Sequence, residues 1–218
     1  MTPIPREPAA VAVVDDDEAV RDALATFLGL NGYAVKVYAS AEEFLSAWDI
    51  PPRGCIIADV KMPGLTGVEL IEIVRERGCA LPVLIITGHG DVPMAVSALR
   101  AGALDFIEKP LQEQVLLERV QEATRIGMRL QAEEENRRAT RARFDSLTGR
   151  EREVLALIVE GHPNKIIAHQ LGVSIRTVEI HRARVMEKFE AKSLPELVRF
   201  ALQIKERPPE AQLEPDEL

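Results

Sequence analysis

Five polar residues follow apolar runs in the first half of the chain. Asp15 and Asp16 follow Val11-Ala12-Val13-Val14, and Asp59 follows Cys55-Ile56-Ile57-Ala58. Thr87 follows Val83-Leu84-Ile85-Ile86, and Lys109 closes the run that contains Leu104-Asp105-Phe106-Ile107. Carboxylates crowded together repel one another unless a cation joins them. A hard divalent ion with oxygen ligands answers that repulsion, and Mg²⁺ also keeps waters and binds phosphate. Lys109 adds a point positive charge that can pair with a phosphoryl oxygen, and the Thr87 hydroxyl can donate to another. A carboxylate in such a setting is a nucleophile toward a phosphoryl donor and yields an aspartyl phosphate. The cation and Lys109 would neutralise charge in an in-line transfer. Asp17 has no matching metal role and reads as a helix cap or surface charge. His89, flanked by glycines, reads as a loop residue.

A second set of chemistry-bearing residues lies near the other end of the chain. Asn164 can cap a short helix ending at Leu171, Gly172-Val173 makes a tight turn, and Ser174 caps a longer helix from Ile175 to about Phe189. Short helix, glycine-containing turn and longer helix form a helix-turn-helix pattern, whose second helix enters the major groove of DNA. At 100° per residue, Val178, Val185 and Phe189 share the core side. Arg176, Ile180 and Ala183 lie opposite, flanked by Glu179 and Arg184. On that outer face Glu179 can accept from cytosine, Ile180 and Ala183 can touch a thymine methyl, and Arg176 or Arg184 can reach guanine or phosphate. Lys165, Thr177 and His181 are candidates for phosphate contacts, although His181 fits packing at the domain edge better. Arg182 points toward the core side, where an ion pair is expected.

The elements that must position these residues follow from periodicity. Short apolar runs alternate with segments of period near 3.6, such as Val68-Leu70-Ile71-Ile73-Val74. Alternating β and α units predict a doubly wound, five-stranded parallel sheet of α/β class, with several strands buried on both faces. In such a sheet ligands bind beyond the carboxyl ends of the strands, where strand order reverses. From Leu111 the pattern turns helical and polar, predicting a last helix that runs on into a helical linker. Thr148, with Glu151 three residues on, is a capping box. It opens an all-α, four-helix domain, whose last helix starts at Ser193. The expected organisation is residues 1–123 as one domain (core from about 10), 124–143 as linker, 144–207 as the helix-turn-helix domain and 208–218 as a disordered acidic tail.

Composition agrees with two soluble modules: 218 residues, 46% hydrophobic and 28% charged. The net charge of −8 is divided unevenly: −9 over residues 1–123, +3 over 124–143, +2 over 144–207 and −4 over 208–218. An acidic half and a mildly basic half do different jobs. No apolar run approaches the ~20 residues of a membrane helix. Met1 to Ala10 lacks the layout of a secretion signal, so a cytoplasmic protein with no membrane partner is expected. Cys55 and Cys79 lie in apolar contexts and are expected to be buried, reduced thiols.

The segments Val13-Val14-Asp15-Asp16-Asp17-Glu18, Asp59-Val60-Lys61-Met62-Pro63-Gly64, Thr87-Gly88-His89-Gly90 and Lys109-Pro110 resemble bacterial two-component receivers in order and spacing. The resemblance implies that Asp59 is phosphorylated by a histidine kinase. It implies that Asp15, Asp16 and Asp59 hold Mg²⁺ with the backbone carbonyl of Lys61, that Thr87 and Phe106 are switch residues, and that Lys109-Pro110 is a cis bond. Leu147-Thr148-x-Arg150-Glu151-x-Glu153-Val154-Leu155 and Thr177-Val178-Glu179-Ile180-His181 resemble the LuxR/NarL-type DNA-binding domain. With Thr87-Gly88-His89-Gly90-Asp91-Val92-Pro93-Met94-Ala95-Val96 and Pro163-Asn164-Lys165, the whole chain is similar to the FixJ family. That family implies a transcription regulator whose phosphorylation frees or dimerises the DNA-binding domain; a homodimer on phosphorylation would pair through the face made by the fourth helix, fifth strand and fifth helix of the first domain. Leu194, Leu197, Val198 and Ala201 would form a second dimer surface, and RNA polymerase is a further partner. Leu111 departs from the Phe that many receivers carry after Lys-Pro.

Two other functions compete. A phosphohydrolase with an aspartate nucleophile, resembling the haloacid-dehalogenase group, needs an acidic residue two positions after the nucleophile, and Lys61 stands there. A pseudo-receiver that binds DNA without phosphorylation would not need the full set Asp15, Asp16, Asp59, Thr87 and Lys109. An enzyme with turnover is therefore not expected beyond the receiver's own phosphoryl chemistry.

Overall fold

The structure is a computed structural model that describes residues 9–47, 54–88 and 92–205. The acidic tail at 208–218, His89 and most of the Met1–Ala10 segment lie outside the described residues. The chain divides into two compact units at Ala132/Glu133.

The first unit alternates β1(Ala10–Val14), α1(Glu18–Leu30), β2(Ala34–Tyr38), α2(Ala41–Ser46), β3(Gly54–Asp59), α3(Gly67–Glu76), β4(Val83–Thr87), α4(Val92–Ala101) and β5(Asp105–Glu108), followed by α5(Glu113–Asp145). The five strands are parallel, in the order β2-β1-β3-β4-β5. Side chains alternate across the strands, so β1, β3 and β4 each feed two cores. Ala12, Val14, Ile56, Ala58 and Ile85 pack with Leu70, Ile71 and Val74 of α3 and Ala98 of α4. Val11, Val13, Ile57, Leu84 and Ile86 pack on the other face with Leu24 and Leu28 of α1 and Leu116 and Val120 of α5. A sheet covered on both sides explains why β3 and β4 are fully buried and carry no polar side chain before their closing Asp59 and Thr87.

Cys55 is buried and free, and burial pushes its thiol up to about 12. Cys79 is only partly buried, at the turn after α3. Gly127 permits a close approach: a Cβ there would lie 1.7 Å from the carbonyl oxygen of Gly54, where α5 crosses the start of β3. The helix α5 is continuous, so the 124–143 segment is helical throughout.

The second unit holds α6(Gly149–Val159), α7(Asn164–Leu171), α8(Ile175–Lys188) and α9(Leu194–Lys205) around Val154, Leu155, Ile158, Ile167, Val178, Val185, Phe189 and Leu197. Thr148 caps α6 in a full capping box with Glu151. Gly172, at φ +65, ends α7 in the left-handed region, and Ser174 caps α8 by accepting from the Thr177 N–H. Three expectations need correction here. Asn164 does not cap α7: Pro163 occupies that position, its ring presetting the backbone, and Asn164 is the first helical residue. Its amide oxygen instead accepts from Arg182 Nη1 at 2.9 Å, so the inward-turned Arg182 meets an amide rather than the expected carboxylate. Leu197 and Ala201 are buried in the core of this unit and cannot form a dimer surface; the apolar residues that α9 exposes are Leu194 and Leu202. One stripe of an amphipathic helix is spent on its own core.

Candidate phosphoryl-acceptor pocket and DNA-binding face

Strand register gathers the first set of residues. Val14 pairs with Ala58 across β1 and β3, Asp59 with Ile86 across β3 and β4, and Thr87 with Glu108 across β4 and β5. Asp15, Asp59, Thr87 and Lys109 therefore stand side by side at the carboxyl edge, around β1 and β3, where the strand order reverses. Backbone bonds hold the edge: Val60 N–H donates to the Ile86 carbonyl at 2.9 Å and Lys109 N–H to the Thr87 carbonyl at 2.8 Å.

The Lys109 ammonium joins the two buried carboxylates. Its Nζ lies 2.6 Å from Asp59 Oδ1 and 3.2 Å from Asp15 Oδ2. The second oxygen of Asp59 accepts from Lys61 N–H at 2.7 Å, and the second of Asp15 accepts from Asp17 N–H at 2.9 Å. Burial raises the Asp15 carboxyl above its usual range, although the Asp17 N–H and Lys109 both pull it down. Burial alone would lower Lys109, but bonding to and the charge of Asp59, then of Asp15, outweigh it and raise the ammonium. Two carboxylates against one ammonium leave the pocket net negative.

Asp16 does not join them. It is exposed, and among the described residues no three His, Cys, Asp or Glu side chains are placed to hold a metal ion. Hydration of a third like charge outweighs drawing it onto two others. The Thr87 side chain is buried, yet its hydroxyl donates to its neighbour, the Gly88 carbonyl, at a long 3.3 Å. Phe106 is 40% exposed on β5 and so is no core residue. The Lys109-Pro110 bond is cis. Lys61 is exposed at the start of the β3–α3 loop. Asp17 caps α1, accepting from Ala19 N–H at 2.9 Å. The donor set of Asp15, Asp59 and a flanking backbone is hard oxygen with excess negative charge, which fits Mg²⁺, with Asp16 at the edge as a further carboxylate.

Two supports of this pocket carried no signal in the sequence. Arg21 Nη1 donates to the Asp15 carbonyl at 2.6 Å, fixing the turn that carries both acids. Gly67 opens α3 so close to Asp59 that a Cβ would lie 2.3 Å from the Asp59 carbonyl oxygen. The capping pair Thr66/Glu69 marks the start of α3 in sequence; the need for glycine comes only from the approach of the two backbones.

In the second unit the outer face of α8 is as the helical wheel has it: Arg176, Glu179, Ile180, Ala183 and Arg184 are exposed, and Ile180 is 47% exposed. Lys165 is exposed on α7. Thr177 is half-buried, its hydroxyl 2.8 Å from that of Ser174. His181 is half-buried, with a buried Nδ1 that has no hydrogen-bond partner among the described residues, as suits packing rather than base reading. The α6 capping glutamate does more than its sequence showed: Glu151 is buried and accepts from Lys188 Nζ at 2.7 Å, which with the Thr148 N–H lowers its carboxyl to about 2.

Comparison with known proteins agrees with both halves. Residues 11–121 match the family described as response regulator receiver domain, and residues 145–201 match bacterial regulatory proteins, luxR family. The transcriptional regulatory protein FixJ of Rhizobium meliloti is 48% identical over 192 residues, covering 88% of this chain and 94% of that one. The C4-dicarboxylate transport transcriptional regulatory protein DctR of Rhodobacter capsulatus is 41% identical, covering 87% and 98%. Among solved structures, the response regulator StyR superposes with a TM-score of 0.81 at 37% identity, covering 91% of this chain and all of that one. Full-length FixJ from B. japonicum superposes at 0.56 and 39% identity, covering 93% and 100%. The chain belongs to the FixJ family of two-component response regulators, transcriptional regulators that join a receiver domain to a LuxR-type DNA-binding domain.

Proposed function

We propose that a histidine kinase phosphorylates this regulator on Asp59, and that the phosphorylated form dimerises and binds DNA to control transcription in the cytoplasm. The observation that carries the reading is the buried Asp59 carboxylate at the strand-order reversal, bonded by Lys109 Nζ on one oxygen and by Lys61 N–H on the other. In the transfer an Asp59 oxygen attacks phosphorus and the bond to the kinase histidine nitrogen breaks. The imidazole leaves with the electron pair and the phosphoryl group stays on Asp59. Lys109 pairs with a phosphoryl oxygen and limits the charge that builds up. Asp15, Asp16, Asp59 and the Lys61 carbonyl would hold Mg²⁺, which when bound neutralises phosphoryl charge.

On this reading Thr87 turns its hydroxyl from the Gly88 carbonyl to the phosphoryl group and Phe106 moves inward behind it. The face that answers is apolar and open: Val96 and Leu99 of α4, Leu104 and Phe106 by β5 and Val115 of α5 are each 39–42% exposed. Covering this face between two copies would bring two DNA-binding units onto a two-part site. Lys165, Arg176, Thr177, Glu179, Ile180, Ala183 and Arg184 would meet the groove and its phosphates. RNA polymerase is the natural target of a regulator so placed. The test is incubation with acetyl phosphate and Mg²⁺, followed by phosphate-affinity gels, light scattering and DNA footprinting. The expected result is one phosphoryl group, a dimer and a footprint, all lost in Asp59→Asn. Phosphorylation that persists in Asp59→Asn, or leaves the protein monomeric, overturns the reading.

A further inference from the structure

The loop between β3 and α3, residues 60–66, is held at three points. At its start Lys61 N–H donates to Asp59 Oδ2. At its end Thr66 caps α3, its own N–H donating to Glu69 Oε2 at 2.8 Å. The third point comes from another element: Glu42, in the first turn of α2, accepts the Leu65 N–H on Oε1 at 2.9 Å, across 23 residues of sequence. Ser40 caps α2 by accepting from Glu43 N–H, and the Glu42 carboxylate also accepts from its own N–H and from the Ser40 hydroxyl. The loop is shaped to receive it. Gly64 turns at φ +77, and a Cβ there would lie 2.4 Å from Glu42 Oε1. The Leu65 hydrogen bond first, and then those from its own N–H and the Ser40 hydroxyl, hold the Glu42 carboxyl below its ordinary range, so the ion is the acceptor.

We propose that Glu42 is a positioning residue for phosphoryl chemistry at Asp59. By gripping Leu65 N–H it fixes the loop in which Lys61 N–H bonds Asp59 Oδ2 and from which, on the proposed reading, the Lys61 carbonyl would reach the cation. This inference rests on the proposed phosphorylation of Asp59. Both the gain and the loss of the group depend on that loop. In loss, water attacks phosphorus and the bond to the Asp59 oxygen breaks. Inorganic phosphate departs, one proton passes to solvent, and the carboxylate is restored. A loop free to shift leaves Lys61 N–H and its carbonyl out of place for both steps. Groups that orient a cation site from behind are worth about tenfold or more in affinity.

The experiment compares Glu42→Ala with Glu42→Gln in the full chain. Glutamine keeps an oxygen acceptor for Leu65 N–H, and alanine removes it. Three readouts are taken: exchange of the Leu65 amide by NMR, Mg²⁺ affinity by calorimetry, and the rate of phosphorylation by acetyl phosphate. Glu42→Ala is expected to speed Leu65 amide exchange and to weaken Mg²⁺ binding by about tenfold. Phosphorylation is expected to slow in step, while Glu42→Gln stays within about twofold of the parent. Melting curves show that both variants are folded; if Glu42→Ala is not, the glutamine variant and Gly64→Ala, which crowds the same oxygen, carry the comparison. The inference is overturned if Glu42→Ala matches the parent in Mg²⁺ affinity and rate, or if Glu42→Gln is as impaired as alanine. A parent protein that takes no phosphoryl group at all defeats instead the reading on which it rests, and the Leu65 exchange then still reports the contact alone.

Discussion

Gly127→Ala sets two physical rules against each other. Residue 127 lies inside the 33-residue helix α5. By helix propensity alone, alanine there should stabilise the protein by about 1 kcal/mol. Packing gives the opposite sign. The added Cβ would lie 1.7 Å from the Gly54 carbonyl oxygen, 2.8 Å from its carbon and 3.2 Å from Pro82 Cδ. The nearest two atoms are backbone at the start of β3, whose neighbours on the sheet are fully buried, so the helix must lift away by more than an ångström. That separation would open the contacts of Leu116, Val120 and Ala123 with the sheet. Strain of this kind costs about 3 kcal/mol, and subtracting the propensity gain leaves a net loss of about 2 kcal/mol. A loss of that size lowers the melting temperature of the receiver by roughly 6–12 °C. Calorimetry of the full chain, following the receiver transition, measures it. A Gly127→Ala protein that melts at or above the parent temperature would refute the close approach and leave the glycine unexplained.

Other outcomes follow from charge and exposure. Asp15→Asn is expected to stabilise the receiver at neutral pH by about 1 kcal/mol, because a carboxylate ionised against burial is removed. The folded value of Asp15 is raised above 3.8, so the penalty exists only above it; in urea titrations the gap should close as pH falls toward 4, and a gap that widens in acid contradicts the assignment. Glu151 has the opposite sign: its carboxyl falls from 4.5 to about 2, so its contribution is complete above pH 4.5 and disappears as pH falls toward 2. Glu151→Gln should cost the second unit about 2 kcal/mol in denaturant at pH 7 and little at pH 2; equal losses at both would rule out the ion pair as the cause. Arg176→Ala and Ile180→Ala should each weaken operator binding by about 1–3 kcal/mol. In binding assays on substituted operators, only Ile180→Ala should lose preference for a thymine at one position, and unchanged preferences would remove it from the base-reading set.

The strands were legible because burial on both faces leaves an apolar run with no polar interruption, as in β3 and β4. Their edges were less so: the fifth strand begins at Asp105, with Leu104 outside it and 39% exposed. The pocket was legible as far as strand ends could carry it, since a reversal of strand order brings neighbouring ends together whatever their sequence. Which of two adjacent acids turns inward is a matter of the last pleat and of hydration, and only Asp15 is drawn in. For α9 the sequence showed an apolar stripe without saying that its own core would claim Leu197 and Ala201. Asn164 read as a cap because its side chain can cap; Pro163 won the position through its backbone. Glu42 looks in sequence like an acidic residue complementing a helix N-terminus, because its partner lies 23 residues away and no local period links them.

On the proposed reading, the pocket also gives a reason why phosphorylation of Asp59 would change the fold around it. It already holds two buried carboxylates against one ammonium, and Asp15 is ionised against the cost of its burial. A phosphoryl group on Asp59 adds between about 1.5 and 2 negative charges and three acceptor oxygens. Lys109 can meet one of them, and a cation at the acidic edge can meet another. The remaining acceptor calls for a donor already close and weakly committed. The Thr87 hydroxyl is buried beside the pocket and bonded to the Gly88 carbonyl at 3.3 Å, near the limit of a hydrogen bond, so redirecting it gives up little. Moving Thr87 inward would, on that reading, vacate space at the end of β4, next to β5. Phe106, 40% exposed on β5, would gain apolar contact by burying there. On the proposed reading, the chemical demand of one added anion would thus be turned into a change of shape on the apolar surface around α4 and β5.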